Sequence, residues 1–377
     1  MTQTKEQKRI VIKIGSSSIT SLHGEISRRK LERLVDEVVK LKDEGYEVVL
    51  VSSGAVAAGY RKLGCLKRPD TLPEKQAAAS IGQGLLMEAY SELFLSHGYV
   101  ASQILITRSD FSDENRYNNA RNTTNVLLER GIVPIINEND TITIDRLKFG
   151  DNDTLSAKVA GLVDADKLII LSDIDGLYDA DPRKNSDAKL LDHVYQITPE
   201  IEAAAGDPGS SVGTGGMKSK IDAFKISMAS GIPAFLGKSG VRNLIVDAVH
   251  DRAKGTYFEA EKDAVNLNHK KQWIAFNSGP EGEIIVDFEA KSTIIERKSD
   301  ILPRNILEVK GKFRKGSVVR IFSDVGEEIA LGEVKYSSED LTRIVALDIQ
   351  QRGDFQESVV SIEDLVCHLD LSIPVGL

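Results

Sequence analysis

The sequence predicts an α/β fold with a largely parallel central sheet, followed by a small β-rich domain. Over about the first 250 residues, short apolar runs rich in Val and Ile alternate with longer stretches of helical period. The apolar runs are nearly continuous, which is typical of strands covered on both faces. After about residue 260, short apolar runs are separated by Gly, Pro and charged turns, which indicates a second domain.

The first βα unit shows the pattern. Ile10–Ile14 predicts a strand, Ser27 can cap the following helix, and Gly45 can end it. Further strands are predicted in the first domain at Glu47–Ser52, Val100–Thr107, Ile132–Asn137, Lys167–Ser172 and Pro233–Gly237. In such sheets ligands bind beyond the carboxyl ends of the strands, so the residues just after each run are candidates for the site.

Chain length favours two domains, because 377 residues exceed the usual size of one hydrophobic core. We predict a catalytic domain over residues 1–260, a linker over 261–279 and a β-rich domain over 280–377. Strands after residue 260 are predicted at Trp273–Phe276, Glu283–Phe288, Ser317–Phe322 and Ile344–Leu347.

Composition excludes several classes of protein. Hydrophobic residues at 41% and charged residues at 28% are typical of globular chains, and no apolar run approaches the roughly 20 residues of a membrane span. The first residues lack the apolar core of a signal peptide, so we expect a cytoplasmic protein. Two cysteines give neither a disulfide framework nor metal-site spacing. A net charge of −9 argues against general binding of nucleic acid.

The segment from Val11 to Ser18, VIKIGSSS, is the most informative one. Lys13 lies inside an apolar strand, where an unpaired ammonium group is costly to bury, so an anion should meet it. Gly15 allows close approach of a ligand, and the serines offer hydroxyl and amide donors that suit a phosphate. The alternative is a lysine on an edge strand whose ammonium reaches solvent.

Three other segments could carry chemistry. In VSSGAVAAG, Ser53 stands where a strand leads into a helix, whose first amides can receive an anion. INEND and GDND supply amide donors and carboxylate acceptors at Asn137, Asp140, Asn152 and Asp153, with simple helix capping as the alternative.

The third segment is the glycine-rich loop of residues 206–216. It leads into a helix with Lys218 and Lys220 in its first turn, where the helix dipole disfavours cations unless a polyphosphate is bound. A surface loop without a ligand is the alternative. Ser172 and Asp173, at the end of a strand, could face an adenosine.

Together, KIGSSS, VSSGAVAAG, INEND, GDND, SDIDGLYDADPR and TGGMKSK have the order and rough spacing of the amino-acid kinase family. Within that family the chain most resembles the glutamate 5-kinases, and its tail from Gly282 resembles a PUA domain. The resemblance implies a three-layer αβα fold and transfer of phosphate from MgATP to the γ-carboxylate of L-glutamate in proline biosynthesis. Mg²⁺ would be held mainly by the ATP phosphates, with no protein metal site.

The resemblance also assigns roles to individual residues. Lys13 and Lys220 match the phosphate-clamping lysines, and Asp153 matches the aspartate that orients them. Ser53, Asn137, Asp140 and Asn152 match the glutamate-binding residues, with Asp140 beside the α-ammonium group. The nucleotide-binding positions are Lys13, Ser172, Asp173, Thr214, Gly215, Gly216, Met217, Lys218, Ser219 and Lys220.

The resemblance further implies that proline is a feedback inhibitor and that the chain forms a homo-oligomer, either a dimer or a tetramer. Kinases for acetylglutamate, aspartate, carbamate and UMP are competitors within the fold, and an RNA-binding protein with a vestigial kinase domain is a competitor from another class. From Glu281 onward, 12 Lys or Arg face 19 Asp or Glu, which opposes tight RNA binding. The segment Arg297–Arg320, with eight basic and two acidic residues, leaves a weak RNA contact open.

Overall fold

The computed structural model describes residues 8–21, 25–143, 152–180, 182, 185–204, 216–259, 267–296 and 299–367. The chain divides after residue 264 into two compact units, with residues 112–114 grouped outside the first. In the described part of the chain, no helix combines the length and apolar character needed to cross a membrane.

The first unit contains an eight-stranded sheet. Its strands are β1 (Arg9–Ile14), β2 (Glu47–Val51), β3 (Ala101–Ile106), β4 (Val133–Glu138), β5 (Lys167–Ser172), β6 (His193–Val194), β7 (Ala234–Lys238) and β8 (Thr256–Phe258). They lie in the order β3-β4-β2-β1-β5-β7-β8-β6. Neighbouring strands run parallel except β7 and β8, which pair antiparallel. The predicted strands of this domain and the largely parallel sheet are confirmed.

The helices of the first unit cover both faces of this sheet. They are α1 (Ser16–Ile19), α2 (Arg28–Asp43), α3 (Ala55–Gly59), α4 (Leu72–Ser96), α5 (Arg108–Ser112), α6 (Glu114–Glu129), α7 (Asn152–Leu162), α8 (Pro199–Ala204), α9 (Met217–Ala229) and α10 (Leu244–Val249). Apolar residues of α2, α4 and α10 join Ile10, Ile12 and Ile14 of β1 in one core. Helices α7 and α9 pack together, and α7 also contacts β1. Since side chains alternate along a strand, Lys13 points away from that core.

The two ends of α2 lie where the sequence predicts them. Helix α2 begins after Ser27, as predicted, but the Ser27 side chain makes no capping hydrogen bond. Gly45 follows the helix with φ +91°, a conformation that side chains disfavour, so its role in ending the helix is confirmed.

Helices α3 and α4 pack unusually closely through a pair of glycines. A Cβ on Gly59 would lie 1.9 Å from Ala78 O, and one on Gly82 would lie 1.8 Å from Ala55 O. Only glycine therefore fits at either position. This contact holds Ala55, the first residue of α3, directly beyond the end of β2.

The second unit is built on a five-stranded sheet in the order β10-β9-β11-β12-β13. Its strands are β9 (Gly282–Val286), β10 (Ile306–Gly311), β11 (Val318–Ser323), β12 (Glu328–Val334) and β13 (Val360–Cys367). Its helices are α11 (His269–Phe276), α12 (Phe288–Ile295), α13 (Ser338–Val345) and α14 (Ile349–Arg352), with a 3₁₀ turn at Pro303–Asn305. The sheet is antiparallel except where β9 and β11 pair in parallel. The unit has its own apolar core.

Two predicted strands of the second half are wrong. Trp273–Phe276 lies in α11, whose N-terminus is capped by Asn268 accepting a hydrogen bond from Lys271 N–H. Ile344–Leu347 begins in the last turn of α13, which Ser337 caps through Asp340 N–H. Both runs are too short for periodicity to separate a strand from a buried helix turn, and in each case the cap decides for the helix.

Candidate active site

Lys13 occupies the middle of the sheet. Strand β1 pairs with β2 on one side and β5 on the other, so the alternative of a solvent-reaching lysine on an edge strand is wrong. The Lys13 side chain is only 9% exposed, and its Nζ lies 2.5 Å from Asp153 Oδ1. The predicted anionic partner is therefore a carboxylate of the protein itself.

Asp153 also binds a second lysine. Lys220 Nζ lies 3.0 Å from Asp153 Oδ2, and Ser219 Oγ donates to the same oxygen at 3.2 Å. Asp153 lies in the first turn of α7, and both partners lie in the first turn of α9, so the packing of these two helices brings the charges together.

The electrostatics of this trio favour an ionised carboxylate. The Asp153 side chain is fully buried, and burial alone raises the pKa of a carboxyl group. The charges and hydrogen bonds of Lys13 and Lys220 outweigh that effect and hold the Asp153 pKa below its ordinary value. Two buried ammonium groups share one carboxylate, so the trio carries a net positive charge that suits a further anion.

Gly15 brings the backbone close to both Lys13 and Ser18. A Cβ on Gly15 would stand 3.7 Å from Lys13 Nζ and 3.8 Å from Ser18 Oγ. Within the described residues, the buried Ser18 Oγ makes no hydrogen bond. A phosphate oxygen can supply the missing partner, in keeping with the predicted role of this segment.

A second polar cluster lies on the β2 side of β1, around the amide of Asn152. Its Nδ2 donates to Ser53 Oγ at 2.9 Å, to Asn137 Oδ1 at 3.0 Å and to Ser52 O at 2.5 Å. Asn137 is buried near the end of β4. Three of the four predicted substrate-binding residues, from β4, α7 and the end of β2, are thus in direct contact.

Asp140 is the fourth predicted substrate-binding residue. It lies two residues beyond β4 and is partly buried, in a turn where Thr143 N–H donates to Asn139 O at 3.1 Å. The structure therefore places it at the same edge of the sheet as Asn137.

Sequence reasoning missed the residues that support this cluster. The half-buried Gln83 of α4 accepts from Asn137 Nδ2 at 2.9 Å, and Gln76 of the same helix donates to Thr143 O at 3.2 Å. Tyr90 OH lies 3.2 Å from Ser52 Oγ in the core. Their signal is weak in the sequence: polar residues spaced seven apart along one stripe of an otherwise Ala- and Leu-rich helix.

The predicted nucleotide residues lie on the β5 side of β1, near α9. Ser172 ends β5, and its Oγ donates to Asp173 Oδ1 at 3.1 Å. Gly216 precedes α9 and accepts from Ser219 Oγ at 2.8 Å, whereas Met217 and the exposed Lys218 open that helix. Thr214 and Gly215 lie outside the described residues. Nowhere in the described ranges do three or more His, Cys, Asp or Glu side chains gather as metal ligands would.

The amino acid kinase family model matches residues 8–238, which include every side chain of both clusters. The chain belongs to the amino acid kinase family. A PUA domain model matches residues 282–350, so the predicted nature of the β-rich domain is confirmed. The family membership and the expected fold are confirmed as well.

Curated relatives in this family are similar along the whole chain. A protein named Glutamate 5-kinase 2 from Bacillus licheniformis is 66% identical over 372 residues, which cover 99% of this chain and 100% of the relative. Its namesake from Bacillus subtilis strain 168 is 64% identical over 376 residues, covering 100% of both chains. Among solved structures, a carbamate kinase from Giardia lamblia bound to AMP-PNP has a TM-score of 0.51 at 17% identity. The match covers 68% of this chain and 99% of the carbamate kinase chain, and it supports the fold alone.

Proposed function

We propose that this protein transfers the γ-phosphoryl group of ATP to the γ-carboxylate of L-glutamate. The products are L-glutamyl 5-phosphate and ADP, and the reaction is the first step of proline biosynthesis from glutamate. One observation carries the proposal most directly: Lys13 and Lys220 converge on the fully buried Asp153 at the sheet edge where ligands bind. The relatives of 64% and 66% identity support glutamate as the acceptor.

The chemistry requires cations more than a base. A γ-carboxylate is already ionised at neutral pH, so no group has to remove a proton from the nucleophile. Both reactants are anionic, and charge builds on the transferring phosphoryl group, so catalysis rests on positioning and charge neutralisation. Lys13 and Lys220 supply two positive charges from fixed, buried positions, where they act more strongly than in water.

Asp153 positions these lysines. Without a negative charge between them, two ammonium groups so deeply buried would repel each other and lose the carboxylate that they share. The carboxylate fixes both Nζ atoms at positions from which an ammonium group can donate to phosphate oxygens.

On the acceptor side, we assign glutamate to the cluster of Ser53, Asn137 and Asn152. Hydroxyl and amide groups can donate to a carboxylate without neutralising it, which keeps it nucleophilic. Asp140 is proposed to pair with the α-ammonium group. An acidic partner there selects an amino acid with a free amine over an N-acylated one, because an acylated nitrogen carries no charge to pair with.

On the donor side, we assign ATP to Ser172, Asp173 and the start of α9, together with the glycine-rich segment before it. Mg²⁺ is proposed to enter with ATP, held mainly by the phosphate oxygens, where it would neutralise part of their charge. The first turn of α9 would then add its amide donors and Lys218 to the phosphate contacts.

Further properties are proposals that rest on the resemblance to glutamate 5-kinases. They are a catalytic domain over 1–260, a linker over 261–279, a PUA-like domain over 280–377, a homo-oligomeric state and inhibition by proline at a site overlapping that of glutamate. The cytoplasm is the proposed compartment, in keeping with two cysteines that are both free.

Binding of RNA by the second unit is a weaker candidate function. The basic segment Arg297–Arg320 favours it, but its cations are partly neutralised. Lys310 lies 3.6 Å from Glu308, Lys315 lies 3.9 Å from Glu357, and Arg320 lies 3.5 Å from Glu328. Such pairs reduce the charge available to phosphates. A filter-binding assay that shows no salt-sensitive affinity would remove this candidate.

The proposal is tested by ATP-dependent formation of an acyl phosphate, trapped with hydroxylamine. Acceptors are glutamate, acetylglutamate, aspartate and a blank without acceptor. Selective turnover of glutamate supports the proposal. Selective turnover of another acceptor keeps the fold and overturns the substrate, and no turnover with any acceptor would favour the RNA-binding candidate.

A further inference from the structure

A cleft of about 570 Å³ lies at the carboxyl edge of the large sheet, between α2 and the segment that joins β7 to α10. Ser17 and Ser18 of α1 and Leu171 of β5 form its inner wall. Five of its lining side chains are Lys or Arg and two are Asp or Glu, although the whole chain carries a net charge of −9. The cleft is therefore a local concentration of positive charge.

The cleft lies on the opposite face of the sheet from the lysine–aspartate trio. Ile14 of β1 and Leu171 of β5 pair in register, and both belong to the core formed with α2 and α10. Lys13 and Ser172 each stand one position away along their strands, so their side chains point to the other face. The cleft therefore lies on a different face from the lysine–aspartate trio, although the two adjoin at Ser18 of α1 and at the ends of β1 and β5.

Four of the charged side chains in the cleft serve the fold. Lys30 Nζ donates to Ser17 O and Thr20 O, both at 2.8 Å, which satisfies carbonyl groups at the end of α1. Glu37 accepts from Asn243 N and Ile245 N at the start of α10, and Lys40 donates to Asn243 Oδ1. Asp36 lies 3.3 Å from His97 Nε2. These contacts hold the walls of the cleft together.

The three arginines of the cleft have no such role. Arg29 and Arg33 stand one turn apart on α2, and Arg242 faces them from the segment before α10. All three are exposed, and across the described ranges none of them forms an ion pair or a side-chain hydrogen bond. Like charges on facing walls repel, so this arrangement costs free energy unless an anion joins them.

We propose that this cleft is a second anion site, which binds a small molecule carrying two or more phosphate groups. A guanidinium group presents a planar fork of N–H donors that matches two oxygens of one phosphate, and three such groups on two walls suit adjacent phosphates. The volume lies within the range of about 300–1,000 Å³ found for small-molecule sites.

The test uses the full-length protein and pyrophosphate as the probe. The ATP site is first filled with Mg²⁺ and AMP-PNP in an isothermal titration, so a failure of the proposed nucleotide site would be seen separately. Pyrophosphate is then titrated at two AMP-PNP concentrations, both saturating. We expect one saturable site per chain whose Kd does not depend on the AMP-PNP concentration.

Variants locate the site. We expect Arg33→Gln and Arg242→Gln each to raise the pyrophosphate Kd by about tenfold, the worth of one charge-assisted contact. Arg68→Gln removes the same charge at an exposed position outside the cleft and should leave Kd unchanged. The proposal is overturned if wild-type protein shows no saturable site, if Kd rises with AMP-PNP, or if the cleft variants bind like Arg68→Gln.

Discussion

Asn152 and Asp153 are consecutive residues at the start of α7, yet their side chains serve opposite halves of the site. Asn152 Nδ2 donates to Asn137 Oδ1 at 3.0 Å, whereas Asp153 Oδ2 lies 3.0 Å from Lys220 Nζ. With 3.6 residues per turn, neighbours on a helix diverge by about 100°. One rigid helix start therefore sets the spacing between the proposed acceptor cluster and the proposed phosphate clamp.

Removing Lys220, one of the two proposed phosphate-clamping lysines, should abolish catalysis while the protein stays folded. We expect Lys220→Ala to lower kcat by about 10³-fold or more, because it removes a fixed charge from the transferring phosphoryl group. The variant should stay folded, since Asp153 keeps Lys13 as a partner.

Asp153→Ala should also abolish turnover and lower the free energy of unfolding by about 3–5 kcal/mol, because it leaves buried charge uncompensated. Rates come from the hydroxylamine assay and stability from urea unfolding; near-normal rates in either variant would refute these roles.

Asp140 should act on glutamate alone. We expect Asp140→Ala to raise the KM for glutamate by about tenfold or more while the KM for ATP changes little, because a lost charge-assisted contact costs about 1.5–3 kcal/mol. Initial rates at varied glutamate and fixed saturating ATP, and the reverse, measure the two constants. Equal effects on both would contradict a role at the α-ammonium group.

Gln83 should position Asn137 without touching the reacting atoms. Gln83→Met keeps the length of the side chain but removes the acceptor for Asn137 Nδ2, so we expect the KM for glutamate to rise by about fivefold, the worth of one neutral hydrogen bond. The kcat at saturating glutamate should fall less. Gln103→Met, at an exposed position on β3, is the matched control. A purely structural role predicts instead a lower melting temperature with unchanged kinetics.

The glycine contact between α3 and α4 can be tested with a pair of glycines in one helix. Gly82→Ala would place a Cβ 1.8 Å from Ala55 O, and we expect it to lower the free energy of unfolding by about 1–3 kcal/mol or more through overpacking. Gly84 lies two residues further along α4, with nothing within 4 Å of a Cβ. Gly84→Ala should raise the free energy of unfolding by about 0.5–1 kcal/mol. Equal effects of both substitutions would contradict the close contact.

Lys158 should make stability depend on pH in the alkaline range. Burial, with a smaller contribution from Arg108, lowers the pKa of Lys158 from 10.5 to about 7. Between these values the unfolded chain binds a proton that the folded chain does not, so stability rises with pH in that window and is independent of this group below it. Lys158→Met removes the titration. We expect the free energy of unfolding of wild type, relative to that of Lys158→Met, to rise from pH 7 to pH 10 in urea unfolding. A constant difference would show that the Lys158 pKa is the same in the folded and unfolded chain.

Much of the site could be predicted because its residues follow strands in the sequence. The strand runs, with Gly15, Ser53, Asn137 and Ser172 at or near their ends, predicted which side chains meet at the carboxyl edge of the sheet. The sequence could not show which residues inside a helix contact residues that are distant along the chain. Gln83 meets Asn137 from 54 residues away, and no local pattern marks that pair. The two misassigned strands fail for the opposite reason, since short apolar runs fit either period and the caps that decide lie outside them.

The central place of β1 has a consequence for how such an enzyme can change. The ends of β2 and β4 lie on one side of β1 and those of β5 and β7 on the other. The proposed acceptor and donor sites are therefore built from separate stretches of chain, which meet at Lys13 and α7. We expect a library that randomises residues beyond β2 and β4 to alter the choice of acceptor and to leave nucleotide binding intact. Within one scaffold, new phosphate acceptors are therefore reachable by local changes.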